Sequence, residues 1–537
     1  MEKMMGVMLD CSRNAVMKSD VVKEYANIIR KMGYNTLMLY TEDTYEVDNQ
    51  PYFGHLRGRY TKDEIKEMDT YCREIGIELI PCIQTLAHLP SIFKWSEVYT
   101  DINDCDDILL AGDERTYELI EDMISTVAEC FSSRKIHIGM DEAYHVGTGK
   151  YRDINGSEDR FDIVNNHLHR VCKILGKYNF EPMVWSDMFC KLALNVSEYY
   201  AEADTSKILE KAKLPENISL VYWDYNTLDY DKCTARIETN KTFGRKVFFA
   251  GGAHTWGGFA PNNTHSIKTM EVAMKACEDK DIDGIFFTVW GDDGAECSKF
   301  AILPSLMYAA EVLKGNTDLE SIKEKFKEIT GSDFDDFLLF DQLNSPGGRH
   351  SEVASKNPFY ADASKYLFYN DIFLGVRDCL CDSSDCEYYK NLTQKLHNAN
   401  GKGEFEYLFN SYEKFANVLA LKSDFGLRIK EAYKKNDIHT LKLIIDECDE
   451  LKSRIKEFHS AHQERWFFEN KPHGFEIQDV RFGGLLQRIT SCQNRLKDYV
   501  EGKLSEIPEL NEPVLEKTIR LGHWSRSVSP NIVTHGL

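Results

Sequence analysis

Over roughly the first 315 residues, short apolar runs alternate with longer stretches in which apolar residues recur every three or four positions. Met4–Asp10 is the first run. A helical stretch, Ser19–Met32, stops at Gly33, and Asn35–Tyr40 follows. Lys62–Ile75 stops at Gly76 before Ile77–Ile83; Glu114–Cys130 leads to Lys135–Gly139, and Arg160–Gly176 to Pro182–Trp185. Ile218–Trp223, Lys246–Ala250 and Gly284–Trp290 complete the set of runs. Most are apolar at nearly every position, as strands buried on both faces must be. Glycine just past several helices supplies the left-handed cap that ends them. Eight strand–helix units in this length predict a (β/α)8 TIM barrel over residues 1–315 rather than an open doubly wound sheet. No G-x-G-x-x-G follows the first run, which removes the commonest dinucleotide site.

From about Asn316 the short runs stop. Phe334–Phe340, Ala363–Leu374, Phe405–Leu421, Leu427–Asn436, Asp437–His459 and Leu485–Tyr499 carry helical spacing with charged faces, which predicts a mostly α-helical C-terminal domain over residues 316–537. Ser345-Pro346-Gly347-Gly348 marks a loop within it. The last thirty residues or so, with Pro508, Pro513 and Pro530, read as an irregular tail.

Charge and cysteine content narrow the setting. The 87 acidic residues outnumber the 65 basic ones and leave a formal charge of −22. That argues against nucleic acid or an anionic membrane as a partner. The fifteen cysteines show no paired spacing. Cys379, Cys381 and Cys386 lack a fourth ligand at finger-like distance, so free thiols in a reducing compartment are expected. The N-terminus has no apolar signal region and no run is long enough to span a bilayer, which points to the cytoplasm.

Chemistry in such a barrel gathers where the strands end. The first run ends in Asp10-Cys11-Ser12-Arg13 and the third leads to Gln84 and His88. The fourth supplies adjacent carboxylates, Asp141 and Glu142. The fifth ends in Trp185-Ser186-Asp187 and the sixth in Tyr222-Trp223-Asp224-Tyr225. The seventh leads to His254-Thr255-Trp256, and the eighth ends in Trp290-Gly291-Asp292-Asp293. An Asp-Glu pair at a loop entrance is ordinarily just solvated, and a single tryptophan is ordinarily core. Here four of the chain's seven tryptophans fall at consecutive strand ends around that pair. Indole faces wall the apolar faces of sugar rings, while carboxylates and Arg bind hydroxyls. Two adjoining acids hold one another's protons unless compensated, as acid catalysis requires.

The segment HIGMDEAYH resembles the H-x-G-G-D-E signature of glycoside hydrolase family 20, the β-N-acetylhexosaminidases, and LDCSR resembles the family's first-strand L-D-x-S-R. The likeness covers about Met1–Lys314. Met140 replaces the second glycine, Ala87-His88 stands where Gly-His is common, and the small α/β domain that usually precedes the barrel is expected to be absent, as in the short cytoplasmic members. The resemblance implies an exo-acting enzyme removing terminal β-linked GlcNAc or GalNAc with retention, through an oxazoline formed by the substrate's own acetamido group. It makes Glu142 the acid and base, and Asp141 the residue holding the acetamido N–H. Trp185, Trp223 and Trp256 are expected to form the walls and Trp290 the floor. Arg13, Asp292 and Glu296 are expected to bind hydroxyls, and His88 to line the site or pair with Asp141. A tyrosine should hold the acetamido oxygen: the family's Y-x-D spacing matches Tyr222/Asp224, and closeness to the rim favours Tyr225.

His137, inside a strand, is expected to be structural; His145 stays open. With no H-x-H on the first strand, neither a metal nor another cofactor is expected. Two other readings fit the residues: a non-catalytic sugar-binding barrel and a metal-dependent barrel hydrolase. The expected partner is a small oligosaccharide or glycoconjugate. The helical domain can cover the barrel's lower face, supply a rim loop or build a homodimer.

Overall fold

The computed structural model describes residues 3–194, 213–346, 363–515, 524–529 and 531. Gly347 and Gly348 of the expected loop, and Pro530 of the tail, lie outside them. Eight parallel strands close into a barrel: β1 (Met4–Asp10), β2 (Thr36–Tyr40), β3 (Glu78–Cys82), β4 (Lys135–His137), β5 (Glu181–Trp185), β6 (Ser219–Asp224), β7 (Lys246–Gly252) and β8 (Gly284–Val289). Neighbours in space are neighbours in sequence, and β1 shuts the barrel against β8 with Met4 opposite Gly284 and Leu9 opposite Val289. This is the predicted TIM barrel.

Side-chain alternation divides the strand residues between two cores. Met4, Met8, Met38, Ile80, Met183, Val221, Phe248 and Phe286 fill the barrel interior. Val7, Leu9, Leu37, Leu39, Leu79, Val184, Leu220 and Phe249 face the surrounding helices. At the upper end of the inner set stand Tyr40, Trp185 and Trp290, so the same parity that packs the interior aims these aromatics into the mouth.

Helix ends follow local chemistry. Thr61 and Glu64 form a reciprocal capping box at the start of Lys62–Glu74. Gly33, at φ 113°, closes Ser19–Met32 with its N–H on the Ile29 and Arg30 carbonyls. A short antiparallel hairpin, Asn103–Cys105 with Ile108–Leu109, was not foreseen; at three and two residues it is too short to carry a periodic signal.

The C-terminal half is helical. Two of its helices are longer than their apolar spacing suggested: Ile438–Glu469 runs ten residues past His459, and Phe475–Val500 starts ten before Leu485. The hidden turns bury polar residues, among them His462, Arg465, Glu469, Gln478 and Arg481. Their buried face therefore breaks the apolar pattern that a reading by period depends on. Phe259, from the loop after β7, inserts among Phe368, Phe415, Phe458 and Phe482, so a barrel loop forms part of the helical core. No described cysteine is in a disulfide. No described helix is long and apolar enough to cross a membrane.

Candidate active site

The acid pair sits where β4 breaks. Gly139 has φ 70°, Met140 φ 72° and Glu142 φ 51°, so three of four consecutive residues are left-handed. Gly139 has no alternative: a Cβ there would lie 1.9 Å from Gln84 Oε1. A buried methionine in this conformation is strained by roughly 1–2 kcal/mol. The substitution that sets this sequence apart from the family signature thus falls on the odd backbone.

Gln84 holds the break in place. Its Oε1 accepts the Met140 N–H at 3.1 Å, and its Nε2 donates to Asp141 Oδ1 at 2.8 Å and Tyr40 Oη at 2.9 Å. Tyr40 donates onward to Glu42 Oε1 at 3.0 Å, and Arg13 Nη2 lies 3.2 Å from the same oxygen. A continuous polar chain therefore links Asp141 to Arg13 across the mouth.

The two acids occupy different environments. Asp141 is nearly buried, with His88 Nε2 at 3.2 Å from Oδ2. Burial raises its carboxyl, but the His88 charge and the hydrogen bonds prevail and hold it below the usual carboxylate range. His88 in turn is opposed by burial but pushed up to about 10 by Asp141, which makes it a cation at neutral pH. Glu142 is 36% exposed, faces His88 at 3.6 Å and accepts the Tyr144 hydroxyl at 3.1 Å. One acid is fixed as an anion and the other stands open to the mouth.

Asp187 lies beneath them. Its Oδ2 accepts the Glu142 N–H at 3.0 Å, and it also takes a hydrogen bond from the Trp223 indole. Burial, then the neighbouring Asp141 charge, raises this carboxyl to about 8. Gln84 and Asp187 stand at strand ends read from the sequence, though with no role given there, while Glu42 and Tyr144 are not among its candidates. Glu42 follows β2 by two residues, just as Gln84 follows β3 and Asp187 follows β5, and that position is the signal that could have found it.

Around the acids, Trp185 and Trp290 form the floor, both buried, with centroids 6.3 Å apart. Trp185 is deeper than a wall position. Trp223 and Trp256, with Tyr225 between them, make the partly exposed wall: Tyr225 stacks on Trp223 at 5.2 Å and meets Trp256 edge-on at 5.5 Å. His254 stacks behind Trp256 at 4.1 Å. Arg13 lies between Glu42 and half-exposed Asp292, whose Oδ1 is 3.6 Å from Arg13 Nε.

Three expected ligands stand elsewhere. Tyr222 points into the outer core and donates to Asp224 at 2.8 Å. Asp224 is saturated by Arg236, Thr227 and the Asn226 N–H. Strand parity puts Tyr222 on the helix side, so only Tyr225 reaches the acids' side of the barrel. Glu296 is 2% exposed and ion-paired with Lys365 at 2.7 Å and Arg481 at 2.8 Å, which leaves it nothing to offer a sugar. His137 is buried, lowered to about 3 by burial, and accepts the Gly139 N–H, while His145 is exposed. Among the described residues no cluster of three metal-capable side chains occurs.

The catalytic-domain model of glycosyl hydrolase family 20 matches residues 4–284, more than half of the chain. The chain belongs to glycosyl hydrolase family 20. A second model, the Glycoside Hydrolase 20C C-terminal domain, matches residues 335–523 of this family 20 glycoside hydrolase. Hexosaminidase D of Bos taurus is 23% identical over 336 residues, covering 58% of this chain and 92% of its own length. Hexosaminidase D of Homo sapiens is 23% identical over 349 residues, covering 59% of this chain and 67% of its own. A GH20 exo β-N-acetylglucosaminidase from Vibrio harveyi, solved with N-acetylglucosamine, is 16% identical with a TM-score of 0.47, covering 63% of this chain and 58% of that one.

Proposed function

We propose that this family 20 chain is an exo-β-N-acetylhexosaminidase that releases terminal β-linked GlcNAc or GalNAc from glycoconjugates with retention. The observation that carries the reading is the split of the adjacent acids: Asp141 held ionised by His88 and Gln84, and Glu142 open at the mouth. In this reading the substrate's acetamido oxygen attacks the anomeric carbon, and Glu142 gives its proton to the departing glycosidic oxygen. Asp141 accepts the acetamido N–H and offsets the positive charge that grows as the oxazoline closes. Glu142 then takes a proton from water as that water opens the ring. In this reading Tyr225 holds the acetamido oxygen, Trp223 and Trp256 pack its methyl, and the Trp290 and Trp185 floor takes the sugar face. Arg13 and Asp292 take ring hydroxyls.

The test is a panel of aryl β-hexosaminides with and without the acetamido group. Only the acetamido substrates should turn over. Glu142→Gln should abolish that turnover, and Asp141→Asn should lower it by about 10²–10³-fold, the usual scale for such electrostatic support. Full activity in Glu142→Gln, or turnover of plain hexosides, would overturn the mechanism. Binding of a thiazoline mimic with no hydrolysis of any hexosaminide would favour a sugar-binding barrel instead.

A further inference from the structure

Glu296, removed from the sugar site by its burial, belongs to a charge cluster that joins the two halves of the chain. The loop after β8 supplies Asp293 and Glu296, and the helical half supplies Lys365 and Arg481. Lys365 reaches Asp293 at 2.9 Å and Glu296 at 2.7 Å; Arg481 reaches the same two at 3.2 and 2.8 Å. None of the four side chains is more than 7% exposed. The helical half also takes up the loop's backbone: Lys365 and Arg481 donate to the Asp293 carbonyl, Gln478 to that of Gly294, and Arg465 to that of Glu296. The loop needs this support, since Asp293, Gly294 and Ala295 are all left-handed, at φ 58°, 116° and 53°. The residue immediately before them is Asp292.

The loop after β1, which carries Arg13, is held from the same side. Lys18 N–H donates to the Glu469 carbonyl and Lys471 N–H to that of Val16, with Met17 bridged to Asn470. Gly474 packs so closely on this loop that a Cβ would lie 2.3 Å from the Asn14 carbonyl oxygen. A cavity of about 310 Å³ is lined jointly by Arg13 and Glu42 of the barrel and Arg481 and Trp524 of the helical half, so the seam opens beside the mouth.

We propose that Arg481 and Lys365 are positioning residues for substrate binding: they fix the Asp293–Glu296 turn and thereby set Asp292 against Arg13. The helical half is on this account part of the sugar site's scaffold. The proposal rests on the assignment of Asp292 to a sugar hydroxyl made above.

A kinetic cycle on the full-length protein tests it, with an aryl N-acetyl-β-glucosaminide as substrate. Arg481→Met should raise KM by about tenfold or more with kcat changed little, as expected when an interaction common to the bound and transition states is lost. Arg481→Lys should recover most of that loss. The double variant Asp292→Asn/Arg481→Met should be no worse than Asp292→Asn alone, because one residue acts through the other. If Arg481→Met does not fold, Glu296→Gln takes its place in the same cycle. Losses that multiply in the double variant, or an unchanged KM in a folded variant, would overturn the positioning role alone. An Asp292→Asn variant with unchanged KM would overturn the assignment of Asp292, and this proposal with it.

Discussion

At the scale of single residues, the site is built on conformations that side chains ordinarily avoid. Met140 is fully buried at φ 72°. Replacing it with glycine removes about 1–2 kcal/mol of backbone strain but also a packed side chain whose truncation commonly costs about 2–5 kcal/mol. The expected net loss is therefore about 0–4 kcal/mol, centred near 2, read from denaturant unfolding. His88 is the counter-charge for Asp141. In His88→Gln the Asp141 carboxyl should rise, and the acid limb of the kcat/KM profile should move to higher pH. Asp187 gives a stability signature of its own. Its folded value of about 8 lies above the ordinary Asp value near 4, so the folded state holds an extra proton between them. Stability from this group is full below the ordinary value and is lost as pH rises towards 8. Asp187→Asn, which keeps an acceptor for the Glu142 N–H, should flatten that decline in unfolding curves measured from pH 5 to 8.

At the scale of elements, β4 ends after three residues because Gly139 must let Gln84 pass. Gly139→Ala should displace Gln84, and through it both Asp141 and the Met140 N–H. Activity should drop by about 10²-fold, the scale of a misplacement near 1 Å, in a protein whose circular dichroism is unchanged. All eight strands were legible in the sequence, most of them because strands buried on both faces are apolar at nearly every position. The acid pair and the four rim tryptophans were legible because strand ends are easy to count to. What sequence could not supply was facing and distant company. Tyr222 and Tyr225 differ only in strand parity at the rim. Glu296 looks like a mouth residue until Lys365 and Arg481, 69 and 185 positions further on, are brought to it. Glu42 follows β2 by two residues, and its role depends on Tyr40 and Arg13 converging on it.

At the scale of the whole molecule, the barrel and the helices share a core through Phe259 and share buried charges through Asp293 and Glu296. Breaking one partner of such a buried pair commonly costs about 3–5 kcal/mol, so neither half should melt without disturbing the other. Four of the seven tryptophans line the mouth, while helices of both halves contribute about equally to the far-ultraviolet signal. Thermal melts followed by tryptophan fluorescence and by circular dichroism at 222 nm should coincide. Two separated transitions would show that the seam is weaker than its burial suggests.

The seam also has a consequence for the order in which the protein is made. Arg481 is 188 residues downstream of Asp293. At a synthesis rate of about 5–20 residues per second, the barrel's last loop emerges about 10–40 s before the side chain that fastens it. The loop that carries Arg13, at the very start of the chain, waits longer still for Lys471. A nascent barrel can close its sheet during that interval, but its mouth is finished only once Lys471 and Arg481 have emerged.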